Sequence, residues 1–85
     1  MTTKKIILKY LSKRINEGVP VISSIHIETQ LPKYGRLHCD TTRLPSAYSR
    51  TWRKIRENKE YNEIGVIDLK EISNQNKTKT WQIIT

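Results

Sequence analysis

The sequence predicts a small α+β domain with three helices followed by a C-terminal two-stranded β-hairpin. Two stretches have the apolar spacing of amphipathic helices, and two C-terminal stretches are rich in β-branched and aromatic residues. With 85 residues the chain forms one domain, residues 1–85. A chain of this length buries only about 60–65% of its unfolded surface, so we expect a single modest core.

The first helix is predicted over residues 4–17. Apolar side chains recur there at every fourth position, as on the core-facing side of a helix. Thr2 or Thr3 can cap its start, and Gly18 supplies the left-handed position that often follows a helix.

Residues 19–31 are compatible with two predictions. Alternating apolar side chains favour one continuous strand. Ser23 or Ser24 is a good helix N-cap, however, and a short strand over residues 20–22 followed by a helix over 24–31 satisfies both signals. In that interpretation Pro32 ends the second helix, and the continuous strand stays as the alternative.

Residues 32–43 have no clear periodicity. Gly35 permits a turn, and the Asp-Thr-Thr run that begins at Asp40 is typical of turns and caps. The segment is longer than most connections, so we expect either a functional loop or a further element that the pattern does not reveal.

The third helix is predicted over the stretch Leu44–Tyr61, with a proline in its first turn. Its apolar stripe comprises Leu44, Tyr48, Thr51 and Ile55. Its opposite face is polar and cationic, and comprises Ser46, Ser49, Arg50, Arg53 and Arg56. Trp52 lies at the edge of the stripe and is either a core or rim residue or a platform on which a base could stack.

The hairpin is predicted to have strands over residues 64–72 and 80–84, joined by a polar loop over 73–79. Lys77 and Lys79 lie at or beside this loop and could meet a phosphate backbone. Polar, basic loop tips are common for other reasons too.

The chain carries 16 Lys and Arg against 8 Asp and Glu, a net charge of +8. The excess lies on the two helical segments, with +4 over residues 1–18 and +3 over residues 44–62. A polyanion is the natural partner of such a surface, because neutralised phosphates release condensed counterions. Solubility alone is the simpler alternative.

The usual catalytic, metal and membrane patterns are missing from the sequence. The one cysteine, Cys39, excludes an internal disulfide and fits a reducing, cytoplasmic environment. No metal-ligand spacing and no glycine-rich phosphate loop occurs, and no apolar run approaches the roughly 20 residues of a membrane span. We therefore expect no enzyme activity, no cofactor, no metal and no membrane association.

The predicted order of elements resembles that of a winged helix-turn-helix DNA-binding domain. The segment SSIHIETQL stands in the place of the family's second helix, SAYSRTWRKIRE in the place of its recognition helix, and IGVIDLKEI with TKTWQII in the place of its wing. In one respect the chain differs: about a dozen residues separate Leu31 from Leu44, where the family usually has a short turn. The identity of the second helix is therefore left open.

The resemblance implies that the third helix lies in the major groove with its N-terminal half facing the base edges. Arginine is suited there to bidentate contact with guanine. The candidate base-contacting residues are Ser46, Ser49, Arg50 and Arg53. The candidate phosphate contacts, which would set the position of the protein on the duplex, are Arg43, Lys54, Arg56, Lys77 and Lys79.

From this resemblance we expect a double-stranded DNA-binding protein that acts as a small transcriptional regulator. The small size and the composition rich in Lys, Ile and Asn also fit a phage or mobile-element product. Symmetric operators usually require a homodimer, which here would have to form through the first helix or the hairpin. Two alternatives stay open. One is an inhibitor or adaptor that docks on an acidic protein surface, and the other is an RNA-binding protein, with Trp81 as the candidate exposed aromatic.

Overall fold

Three helices pack beside a three-stranded antiparallel sheet, in which the last strand of the chain lies between the other two. The computed structural model describes residues 1–85 and confirms the predicted α+β class, with three helices and a C-terminal β-hairpin. The elements in chain order are α1 (Thr3–Asn16), β1 (Val21–Ser23), a π-helical turn (His26–Gln30), α2 (Leu31–His38), α3 (Pro45–Glu57), a 3-10 helix (Glu60–Ile64), β2 (Asp68–Gln75) and β3 (Thr78–Ile84).

The first helix lies where its capping signals predict it. The Thr2 hydroxyl accepts a hydrogen bond from the Lys5 backbone N–H at 3.2 Å, which satisfies one of the free donors of the first turn. Gly18 follows the helix with a positive φ of 75°, a conformation that glycine adopts without steric cost. The predicted boundaries, residues 4–17, are correct to within one residue at each end.

The prediction that Pro32 ends the second helix is wrong. The π-helical turn and α2 form one continuous middle helix over residues 24–38, which passes through Pro32. Within the turn the Leu31 N–H donates to the His26 carbonyl, five residues back, so the helix is locally wider than an α-helix. We attribute the tolerance of proline to this widening, because the ring normally clashes with the carbonyl four residues before it.

This helix also accounts for the segment 32–43, most of which is α2 and not a loop. The connection between the middle helix and α3 then shortens to residues 39–44. The dozen residues that separate Leu31 from Leu44 are therefore not one long turn, since α2 takes up more than half of them.

The start of the middle helix is fixed by a reciprocal capping interaction. The Ser23 backbone N–H donates to Nδ1 of His26 at 3.0 Å, and the His26 N–H donates to the Ser23 hydroxyl at 3.4 Å. Histidine takes the place that glutamate or glutamine has in a capping box. Burial, and secondarily the charge of Arg14, lower the pKa of His26, which favours the neutral ring that can accept this bond.

The apolar stripe predicted for α3 is only partly correct. Tyr48 and Ile55 are fully buried, and Trp52 is buried too, which settles its place in the core. Leu44 is 74% exposed, contrary to prediction, because it precedes Pro45 in an extended conformation and helical spacing does not apply to it. The helix ends at Glu57, well before Tyr61.

Gly35 of α2 lies against the Tyr48 side chain of α3. A Cβ at position 35 would come within 2.3 Å of the Tyr48 hydroxyl oxygen, so only glycine permits this approach of the two helices. The Tyr48 hydroxyl is buried there without a hydrogen-bond partner.

The hairpin loop is shorter than predicted. Pairing continues through Gln75↔Thr78, so only Asn76 and Lys77 form the turn, and both have positive φ, at 51° and 64°. This is the backbone geometry that two-residue hairpins favour, since it matches the twist of the strands. The first strand of the hairpin, β2, starts at Asp68, which is later than the predicted residue 64.

β1 makes the sheet three-stranded by pairing with β3, with Ile22 opposite Trp81. The sheet thereby covers one side of the helical core, and Trp81 packs edge-on against Trp52 of α3, with ring centroids 5.5 Å apart. None of the helices combines the length and the hydropathy that crossing a bilayer requires.

Candidate nucleic-acid interface

The polar face of α3 borders an open groove of about 690 Å³ between α3 and the π-helical turn. Apart from Pro45, every residue that lines it is polar or charged. These residues are Glu28, Thr29, Ser46, Ser49, Arg50 and Arg53. All four predicted base-contacting residues therefore lie together on one concave surface.

A second groove, of about 220 Å³, separates α3 from the hairpin. Lys77 and Lys79 border it from the hairpin, and Arg56 borders it from α3. Ser49 and Arg53 line both grooves, so the exposed face of α3 joins them into one surface. We call this the α3–hairpin face, and its cations are Arg50, Arg53, Arg56, Lys77 and Lys79.

Arg56 occupies an unusual position on the α3–hairpin face. Its guanidinium carbon lies 4.8 Å from the ring centroid of Trp81 and 5.9 Å from that of Trp52. The Nε atom is buried without a hydrogen-bond partner, and burial, followed by repulsion from Arg53, lowers the pKa of Arg56. The two indole rings hold the guanidinium in place, but no protein acceptor satisfies it.

The other arginines of α3 are also free of partners. The salt bridges of the protein join Lys4 to Glu60 and Glu63, Lys13 to Glu17, and Lys79 to Glu71. None involves Arg50 or Arg53, whose side chains project into solvent on an exposed helix face. Their charges are therefore available to an external anion.

Two predicted phosphate contacts lie apart from this surface. Arg43 donates from Nη2 to the Met1 carbonyl at 2.6 Å, while its Nη1 is buried without a partner. Lys54 is exposed on α3 but lines neither groove. The structure thus brings seven of the nine predicted residues together.

Glu28 and Thr29 belong to the site but were missed from the sequence. The helical pattern of residues 24–31 was recognisable, but the π-helical turn, which decides which of its side chains face α3, leaves no clear signal in the sequence. The Arg56–tryptophan contact has a better signal, because Trp52 and Arg56 are four residues apart and share one side of α3.

The metal-ligating side chains of the protein do not form a cluster. No group of three or more His, Cys, Asp or Glu is placed to hold a metal ion. Cys39 is a half-buried free thiol packed at the edge of the core. Comparison of the chain with protein-family models, curated proteins and solved structures found no match in any of the three.

Proposed function

We propose that the protein is an intracellular double-stranded DNA-binding protein of the winged-helix type, and that it acts as a small transcriptional regulator. In this proposal α3 enters the major groove and the hairpin contacts the adjacent backbone. The single observation that carries it is the α3–hairpin face, where five cations border a concave surface and only Lys79 has a carboxylate partner.

The dimensions of α3 suit the major groove. Its 13 residues correspond to a helix about 20 Å long, and a helix with side chains is about 10–12 Å across. The major groove of B-DNA is about 12 Å wide and admits one helix. Ser46, Ser49, Arg50 and Arg53 lie on the side that would face the base edges, and arginine can donate two hydrogen bonds to guanine.

The second groove supports a role for the hairpin in backbone contact. A phosphate placed beside Arg56 would supply the acceptors that its guanidinium lacks, and Lys77 and Lys79 are close enough to the same groove to add charge. Such contacts position a protein on DNA and carry no sequence information themselves.

RNA binding through the sheet finds less support. Sequence-specific RNA-binding sheets commonly stack unpaired bases on exposed aromatic rings. Trp81, the aromatic residue of the sheet, is 6% exposed and covered by Trp52 and Arg56. Docking on an acidic protein surface is the alternative that the experiment below distinguishes.

The test is a fluorescence-anisotropy titration of a mixed-sequence duplex at about 50 and 200 mM salt. If the five cations each neutralise one phosphate, the affinity should fall by about 10²- to 10³-fold between the two salt concentrations. The double variant Arg50→Ala/Arg53→Ala should bind at least about tenfold more weakly at the lower salt and should show a shallower salt dependence.

Lys13→Ala/Lys33→Ala is the control, because it also removes two positive charges, one from α1 and one from the middle helix, at the groove between these helices. It should lose much less affinity than the α3 variant. Equal losses in the two variants would mean that net charge, and not the α3–hairpin face, is responsible. No duplex binding by the unaltered protein at low salt would overturn the proposed function and leave the acidic protein surface as the partner to pursue.

A further inference from the structure

Glu28 is the only acidic residue among those that line the two grooves of the α3–hairpin face. It borders both grooves, as Arg53 does, so the Glu28 carboxylate and the Arg53 guanidinium both lie on the α3–hairpin face. Despite this proximity Glu28 forms no salt bridge with Arg53 or Arg50. Its carboxylate is exposed and unengaged.

A carboxylate at this place is unfavourable for phosphate binding alone. It repels a polyanion, and it lowers the local positive potential that the neighbouring arginines create. A surface built only for charge attraction would be better served by a neutral or basic residue. The position of Glu28 therefore calls for a ligand group that a carboxylate binds favourably.

The π-helical turn places this carboxylate. Glu28 and the adjacent residue Thr29 both belong to this turn, and both line the groove beside α3. Thr29 is held by a hydrogen bond from its hydroxyl to the Ile25 carbonyl, at 2.7 Å. Turns of this kind occur often at functional sites in helices.

We propose that Glu28 is a specificity-determining residue, which accepts a hydrogen bond from the exocyclic amino group of a cytosine in the major groove while Arg53 donates to guanine. This inference rests on the proposed DNA-binding function. Carboxylates in the major groove accept from cytosine N4, and arginine donates to guanine O6 and N7. A Glu28–Arg53 pair thus presents one acceptor and one donor group that together match a G·C pair or two adjacent pairs.

The carboxylate would then act in two ways. It lowers affinity for every sequence through repulsion of the backbone, and it recovers affinity only where an amino group meets it. Discrimination between sites rises at the expense of overall affinity, which is how a small interface with few contacts can still be selective.

The test is a selection from a pool of randomised duplexes with three forms of the protein: unaltered, Glu28→Gln, and Glu17→Gln. Glu17→Gln is the matched control, since it removes the same charge from the end of α1, away from both grooves. Thermal unfolding followed by circular dichroism verifies that each variant is folded.

The unaltered protein should select a motif in which cytosine is preferred at one position by about fivefold or more. The Glu28→Gln variant should lose this preference. Because an amide both donates and accepts, the variant should shift that position towards adenine. Its affinity for mixed-sequence duplex should rise about three- to tenfold, as expected from the loss of one negative charge that repels the surrounding phosphates. Glu17→Gln should leave the motif unchanged.

An unchanged motif in Glu28→Gln would overturn the proposal, and so would duplex binding by the unaltered protein without any selected motif. Either result leaves the proposed DNA binding intact. Failure of the unaltered protein to bind any duplex is a separate outcome, and it overturns both.

Discussion

The two sides of the middle helix both carry positive charge, but they use it differently. The side towards α1 borders a groove of about 360 Å³. Lys13 there pairs with Glu17 and lies 5.6 Å above the Tyr34 ring. Arg14 donates two hydrogen bonds to the Val21 carbonyl, at 3.1 and 3.0 Å, and so ties α1 to β1.

The side towards α3 has cations without such partners. Arg50 and Arg53 form no salt bridge, and the Arg56 guanidinium is held by aromatic rings that accept no conventional hydrogen bond. The net charge of a region therefore does not by itself identify a binding surface. What distinguishes Lys13 and Arg14 from the arginines of α3 is that the protein itself already engages them. Lys33, which also lines the groove on the α1 side, has no such partner.

The largest effect on stability is expected where α3 is held against the middle helix. Gly35→Ala would place a methyl group 2.3 Å from the Tyr48 hydroxyl, and relief of that clash should cost about 1–3 kcal/mol in the free energy of unfolding. Urea denaturation followed by circular dichroism measures this loss. Because the two helices would have to separate, duplex affinity should also fall.

Tyr48→Phe provides the control for that variant. Its removed hydroxyl is buried without a partner, so the single substitution should change stability little. In this background Gly35→Ala should become neutral or stabilising, since the remaining ring carbon is at an ordinary contact distance of 3.5 Å and alanine favours a helix. An undiminished loss in the double variant would contradict the assigned contact.

Substitutions on the two sides of the middle helix should differ in what they change: one should lower mainly the free energy of unfolding, and the other mainly the affinity for the duplex. Arg14→Ala should lower the free energy of unfolding by about 1 kcal/mol, because it removes two hydrogen bonds at a partly buried carbonyl, and should change duplex affinity only slightly. Arg53→Ala should keep the stability within about 0.5 kcal/mol, as expected of an exposed side chain without partners. It should weaken duplex binding by about tenfold.

Urea denaturation and anisotropy titration of both variants measure the two quantities. The distinction between engaged and free cations fails if Arg14→Ala weakens duplex binding as much as Arg53→Ala does while both remain folded. It is also contradicted if Arg53→Ala costs as much stability as Arg14→Ala.

The elements with strong local signals could be predicted from the sequence. The cap and the glycine of α1, the helical spacing of Tyr48 and Ile55, and the β-branched residues of the hairpin each act over a few residues. The four base-contacting candidates also fall together because they lie on one face of one helix. The helical periodicity of the sequence is sufficient to predict that such residues share one surface.

The middle helix could not be predicted in full, because its course depends on non-local packing. Pro32 is a strong local signal for a helix end, and it is outweighed by a widened turn and by the burial of Leu31 and Tyr34. For the same reason the sequence does not reveal that Glu28 faces α3. Leu44 is the opposite case, since an apolar residue at the right spacing lies outside the helix and stays exposed.

The smallest effect on stability is expected from the protonation of His26, which lines the groove between α1 and the middle helix. Burial, with a smaller contribution from Arg14, lowers its pKa below the ordinary value of 6.5, so on acidification the unfolded chain binds the proton more readily than the folded chain. The stability that the neutral ring contributes is therefore complete above about pH 6.5 and is lost as the pH falls through the lowered pKa.

Urea midpoints at about pH 7.5 and 5.5 should show a loss for the unaltered protein and a smaller loss for His26→Gln, which can still accept from the Ser23 N–H but does not titrate. Equal losses in the two proteins would show that the capping interaction at the start of the middle helix does not depend on the protonation of His26.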